Sequence, residues 1–112
     1  MLKSLYTIIS IRKGLIMPST NDYLEYVLEL LNEVKYVSYK KMMGEYLLYS
    51  DDLLFGGIYD NRFLTKKTDS NSDKGLEEEM PYPSAKPMYL IDSENPREIK
   101  ELVLNACKDL SK

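Results

Sequence analysis

Apolar residues between Leu24 and Val34 recur at helical spacing. Leu24, Val27, Leu28, Leu31 and Val34 share one face, while Glu25, Glu29 and Glu33 fall on the other. The pattern predicts an amphipathic helix over residues 19–34. Ser19 stands where it can cap, and Asp22 follows three positions later in the place of a capping box. Near Tyr36 the period changes to two. Residues 36–43 read as a strand that Gly44 bends or ends, 45–49 as a second and 53–59 as a third, with a turn at 50–52. Asp60 and Asn61 both tolerate positive φ and make a two-residue hairpin signal, so residues 62–67 form a fourth strand. Turns this short make neighbours antiparallel, which gives a β-meander.

Beyond Thr68 the chain turns polar. Residues 72–80 suit a short helix, weakened by Gly75, and Pro81, Pro83 and Pro87 then punctuate an extended crossing. Residues 88–91 read as a fifth strand. Asn95 caps a last helix with Pro96 in its first position and Glu98 completing a box-like pattern. Its apolar stripe is Ile99, Leu102, Val103, Ala106 and Leu110. The order αββββ(α)βα, with two striped helices and one antiparallel sheet, predicts an α+β two-layer sandwich whose meander is covered on one face by the N- and C-terminal helices.

The chain has 112 residues, enough for one domain with one core. Residues 1–16 are expected to be a dispensable extension, with the domain spanning 17–112 and its first helix introduced by Pro18 and Ser19. Tyr6, Ile8 and Ser10 do alternate with Thr7, Ile9 and Ile11, which leaves an extra edge strand as the rival reading. A chain starting at Met17 is expected to melt within a few degrees of the full one. Arg12 and Lys13 interrupt this apolar run, which is too short and too charged to span a bilayer and has no small-residue cleavage site after it.

Ten tyrosines and no tryptophan fit half-buried strands, where a ring packs and its hydroxyl stays wet. The formal net charge of −3 argues against nonspecific nucleic-acid binding, though not against a local basic patch. Cys107 is the single cysteine, lies beside the last helical stripe and reads as a small buried filler. With no internal disulfide available, a cytoplasmic location is expected. No histidine is present, one thiol cannot build a zinc site, and residues 69–73 lack the glycine and terminal glutamate of a calcium loop. The expectation is no metal, no cofactor, no membrane association and no catalytic residues.

Several residues stand out as surface chemistry. Lys40, Lys41, Arg62, Lys66 and Lys67 concentrate positive charge on two strands, either as a lysine-protected sheet edge or as a contact for an anionic surface. Glu45 beside them is a salt-bridge partner. Met42 and Met43, adjacent in a strand, would face opposite ways, one into the core and one outward as an adaptable contact. Gly56 and Gly57 mark a bulge or a close backbone crossing. The candidate partner surface is Lys40, Lys41, Met43, Glu45, Tyr46, Arg62, Lys66 and Lys86. The function expected from these features is a small non-enzymatic module that binds another protein through the meander face or a strand edge. A nucleic-acid-binding protein using the basic patch is the alternative.

Three segments together carry a family likeness. Lys41-Met42-Met43-Gly44 leads into a hairpin, Phe55-Gly56-Gly57-Ile58-Tyr59-Asp60 runs on to Arg62 and Lys66, and Lys86-Pro87-Met88-Tyr89 precedes the last helix. In that order and spacing the chain resembles the TfoX/Sxy N-terminal domain family, named for bacterial competence regulators, over about residues 19–110. The resemblance implies an α+β sandwich and a stand-alone regulatory domain. The best-known members of that family, which carry a second domain, promote competence-gene transcription together with the cyclic-AMP receptor protein; for this chain the resemblance implies contact with another protein and supplies no catalytic residues.

Overall fold

The computed structural model describes residues 18–112, so the expectations for residues 1–16 and for a boundary at Met17 lie outside the described residues. In chain order come helix α1 (Asn21–Leu30), strands β1 (Val37–Met42), β2 (Glu45–Ser50), β3 (Leu53–Tyr59) and β4 (Arg62–Thr65), a 3-10 turn (Asp69–Asn71), strands β5 (Glu78–Glu79) and β6 (Met88–Leu90), and helix α2 (Pro96–Leu110). All six strands form one antiparallel sheet in the order β1-β2-β3-β4-β6-β5. The expected α+β sandwich is the fold observed.

Two-residue turns set the meander. Met43–Gly44, Asp51–Asp52 and Asp60–Asn61 each place both residues at positive φ, the twist that matches antiparallel strands. Between β2 and β3 the register slips, because Leu48 pairs with Gly56 and Tyr49 with Leu54, leaving Phe55 as an extra residue. The glycine pair thus sits beside a β-bulge and also at close crossings. A Cβ on Gly56 would fall on the Leu64 carbonyl. One on Gly57 would come within 2.6 Å of the Tyr46 carbonyl oxygen and 2.8 Å of the Tyr59 ring.

The core lies between the helices and one face of the sheet. Leu24, Val27, Leu31 and Val34 from the first stripe meet Tyr46, Leu48, Phe55, Ile58, Phe63 and Ile91, with Ile99, Leu102 and Val103 of α2. Burying each such side chain is worth about 1.5–3 kcal/mol before chain entropy is subtracted. Among the described residues no helix is long and apolar enough to cross a membrane.

Several expectations need correction. Helix α1 is shorter than predicted. It ends at Leu30, and residues 31–34 continue as turns, where the Asn32 amide donates to the Glu29 carbonyl at 2.6 Å. Leu31 and Val34 are still buried, so the periodicity located the apolar face but not the helix end. Thr20, not Ser19, is the cap, its hydroxyl accepting from the Tyr23 N–H at 3.1 Å. Ser19 is buried one step earlier. Its N–H donates to the Gly44 carbonyl at 2.8 Å, and its hydroxyl accepts from the Asn61 N–H at 3.0 Å, tying the helix start to two hairpin turns.

Residues 72–80 do not form a helix. Gly75 takes φ +72°, and Glu78 and Glu79 are drawn into β5 at the sheet edge by ion pairs to Lys67 and Arg62. The polar run at 69–73 is a docked turn, because buried Asn71 donates to the Leu102 carbonyl at 2.9 Å and accepts from the Asn105 amide at 3.1 Å. Asp109 accepts from both the N–H and the hydroxyl of Ser70, at 2.8 and 2.7 Å. Neither Met42 nor Met43 enters the core: Met42 is half-exposed, and Met43 is 94% exposed because it occupies the turn and not the strand.

A cleft on the open face of the sheet

Strand alternation gives the sheet a second face, turned away from the helices. Across it runs a paired row, Leu47 opposite Gly57, Gly57 opposite Leu64, and Leu64 opposite Leu90. The missing side chain at Gly57 makes room for the Tyr59 ring to lie against the strand. Leu64 is fully buried yet stands outside the helix-side core, so this face carries a small apolar layer of its own.

Beside that layer lies the proline-rich segment at residues 80–87, closed at its ends by the Glu79–Met88 pairing of β5 with β6 and bound along its start by one side chain. Arg62 donates from Nε to the Tyr59 carbonyl at 3.1 Å, from Nη1 to Glu79 Oε1 at 2.8 Å and to the Met80 carbonyl at 3.1 Å, and from Nη2 to the Pro81 carbonyl at 3.0 Å. A planar guanidinium can serve all four acceptors, and a loop that follows no ladder needs such a donor for its carbonyls. The segment turns back on itself through the Ala85 N–H to the Tyr82 carbonyl, 3.1 Å, with Ser84 at φ 72°.

Between this segment and the sheet lies a cleft of about 590 Å³, lined by Leu54, Gly56, Tyr59, Tyr82, Ala85, Pro87 and Met88, with Lys66, Lys67 and Lys86 among its walls. A second depression of about 450 Å³ is lined by Met42, Met43, Glu45, Leu47, Tyr59 and Tyr82. Tyr59 and Tyr82 belong to both, so the two form one groove across the open face. Burial pushes the Tyr59 hydroxyl up to about 12, with Glu45, Tyr82 and Tyr49 adding to the shift. Tyr59 is therefore a neutral donor at any physiological pH. Glu45 is raised by burial as well, the Arg62 charge opposing that rise and Asp60 reinforcing it.

The candidate surface residues are distributed unequally. Lys66 and Lys86 both line the cleft, and Met43 and Glu45 line the adjoining depression. Lys40 pairs across from Leu47 and Lys41 from Tyr46, so the two lysines point to opposite faces, each about 6 Å from a ring centre, Tyr49 and Tyr46 respectively. Tyr46 is only 4% exposed and belongs to the core, which withdraws it from any surface. Arg62 is engaged internally, and Lys67 pairs with Glu78 at 3.0 Å. Sequence reasoning missed Tyr59, Tyr82 and Met88. The prolines around residue 82 were the available signal, since a stiff crossing beside a sheet forms a wall.

Among the described residues no group of histidine, cysteine, aspartate and glutamate side chains could hold a metal ion. Cys107 is half-buried in α2, and burial pushes its thiol up, away from reactivity. No model of a known protein family matches the chain. A relative is an uncharacterized 12.7 kDa protein in the trpE 5' region of Spirochaeta aurantia, 34% identical over 78 residues that make up 68% of each chain.

Proposed function

The chain belongs to the same family as this Spirochaeta aurantia protein, and we propose that it is a small cytoplasmic binding module, without catalytic chemistry of its own, that takes a segment of another protein on the open face of its sheet. The observation that carries this reading is the groove shared by Tyr59 and Tyr82. Its walls are aliphatic, aromatic and lysine side chains, the composition of a recognition surface. Its single carboxylate, Glu45, has no nucleophile beside it among the lining residues. The lone cysteine supports a reducing compartment.

A regulatory role akin to that of TfoX/Sxy N-terminal domains belongs to the same proposal. The motif residues behind that resemblance set the local geometry of this face: Met43 and Gly44 make a turn, Phe55 and Gly56 make the bulge, and Arg62 binds the cleft wall.

Affinity capture with the wild type, with Tyr82→Ala/Met88→Ala and with Lys40→Glu tests the module. The expected result is a protein partner lost with the cleft variant and retained by Lys40→Glu. A partner indifferent to the cleft overturns the reading. So does nucleic acid recovered in its place, with affinity falling steeply with salt.

A further inference from the structure

Charge is sorted along the groove. Arg62 and Lys67, beside the cleft, are each matched to a carboxylate, Glu79 at 2.8 Å and Glu78 at 3.0 Å. Lys66 and Lys86 line the same cleft and, among the described residues, form no ion pair. No carboxylate lines this cleft. At the other end of the groove the sign reverses, with Glu45 set among Met42, Met43 and Leu47. One end is cationic with aromatic and proline walls, and the other is apolar and acidic.

We propose that the groove binds an extended segment of a partner protein in which acidic residues adjoin aromatic or proline side chains, with the acidic end at Lys66 and Lys86 and the apolar end at Met42 and Met43. This deepens the binding-module reading and rests on it. The two unmatched lysines supply charge complementarity, and the exposed ring of Tyr82, beside the buried Tyr59, supplies a face on which rings and prolines pack. Glu45 excludes a second acidic cluster at the far end, which fixes direction. A groove of two adjoining depressions suits an extended chain better than a compact anion, which would occupy one end only.

The test uses three fluorescein-labelled nonapeptides with the same phenylalanines and proline but glutamate, glutamine or lysine at the charged positions. The glutamate peptide is expected to bind best, and the glutamine peptide about tenfold weaker, the scale of one charge-assisted hydrogen bond. Lys66→Glu/Lys86→Glu should reverse the order of the glutamate and lysine peptides, and Lys40→Glu should leave it alone. An amide spectrum of each variant checks that it is folded. A spin label on the acidic end should broaden Lys66 and Met88 signals, and one on the other end those of Met43 and Leu47.

Equal binding of the glutamate and glutamine peptides at the cleft overturns the charge assignment while the module reading stands. Benzoate binding the cleft as tightly as the glutamate peptide also overturns it, and assigns the cleft to a small anion. If no peptide shifts any cleft resonance, both readings fall.

Discussion

The same strands build two unlike faces. On one, Tyr46, Leu48, Phe55, Ile58 and Phe63 meet helices whose backbones satisfy their own hydrogen bonds, so the cover demands only apolar contact. On the other, Leu47, Leu54 and Tyr59 lie beside a loop with prolines, whose carbonyls at Met80 and Pro81 accept from the Arg62 guanidinium. The helix side is held by many equivalent contacts, whereas the open side depends heavily on Arg62. A groove that must admit a ligand belongs where the cover is held by few bonds, because low-stability segments are those that can rearrange.

Damaging each face in turn should separate the two. Phe63→Ala empties the helix-side core at a side chain only 1% exposed, and should cost about 3–5 kcal/mol in urea unfolding. Its loss is expected to be global, lowering amide protection in both helices and all central strands. Arg62→Lys should come next. Lysine offers one compact ammonium where four acceptors are served now; these acceptors are part-buried or exposed, so water takes over part of what is lost and the total cost should stay at about 1–2 kcal/mol. Hydrogen exchange should speed up at residues 80–87 and leave α1 and α2 as they were. Uniform acceleration across the molecule would show that the two faces are one cooperative unit and that the loop is not separately fastened.

These two faces were not equally legible in the sequence. The helix side was read well, because burial imposes a period that survives small errors: Leu31 and Val34 were placed in the core although the helix stops before them. The three hairpin turns were read at or near their positions, since only certain residues accept positive φ. The open side was read poorly. Arg62 and Lys67 looked like surface charge, and only the sheet order shows that β5 returns beside β6 to bring Glu78 and Glu79 to them. Tyr46 was indistinguishable from the other strand tyrosines until its face was known. Asn71 and Asp109 were invisible as a pair because their hydrogen bonds join the 3-10 turn to a helix some 30 to 40 residues on.

That second loop offers a chemical contrast to the first. Residues 69–71 are fastened by a carboxylate where 80–87 are fastened by a guanidinium. The Ser70 N–H and hydroxyl hold the Asp109 carboxyl down to about 2, from an ordinary 3.8. A carboxyl depressed in the folded state stabilises it fully above the ordinary value, and that contribution is lost as pH falls through the folded value. Wild type should therefore exceed Asp109→Asn by a constant margin near neutrality, and the margin should shrink between pH 3.8 and about 2. Urea melts across that range give the measurement. A margin unchanged at pH 2 would mean that the charge of Asp109 contributes nothing to the fastening.

The smallest expected effect has the opposite sign and lies in the groove itself. Burial raises the Glu45 carboxyl above its ordinary 4.5, so the folded state disfavours its charge, with Arg62 offsetting part of the penalty and Asp60 adding to it. A carboxyl raised in the folded state destabilises it above that raised value, and the penalty is relieved as pH falls to the ordinary one. Glu45→Gln should thus melt slightly higher than wild type at pH 7, and the two should converge near pH 4. In an Arg62→Lys background the gain should change, because the guanidinium that offsets the penalty is replaced by an ammonium at another position; a double-mutant cycle reads that coupling. If Glu45→Gln instead lowers the melting temperature at pH 7, the carboxylate is a structural partner of Arg62 and sets no direction in the groove. If it raises it, the open face keeps a charge that its own folding disfavours. Among the described residues, none of those buried in the helix-covered core is charged, so that side has no counterpart to such a residue.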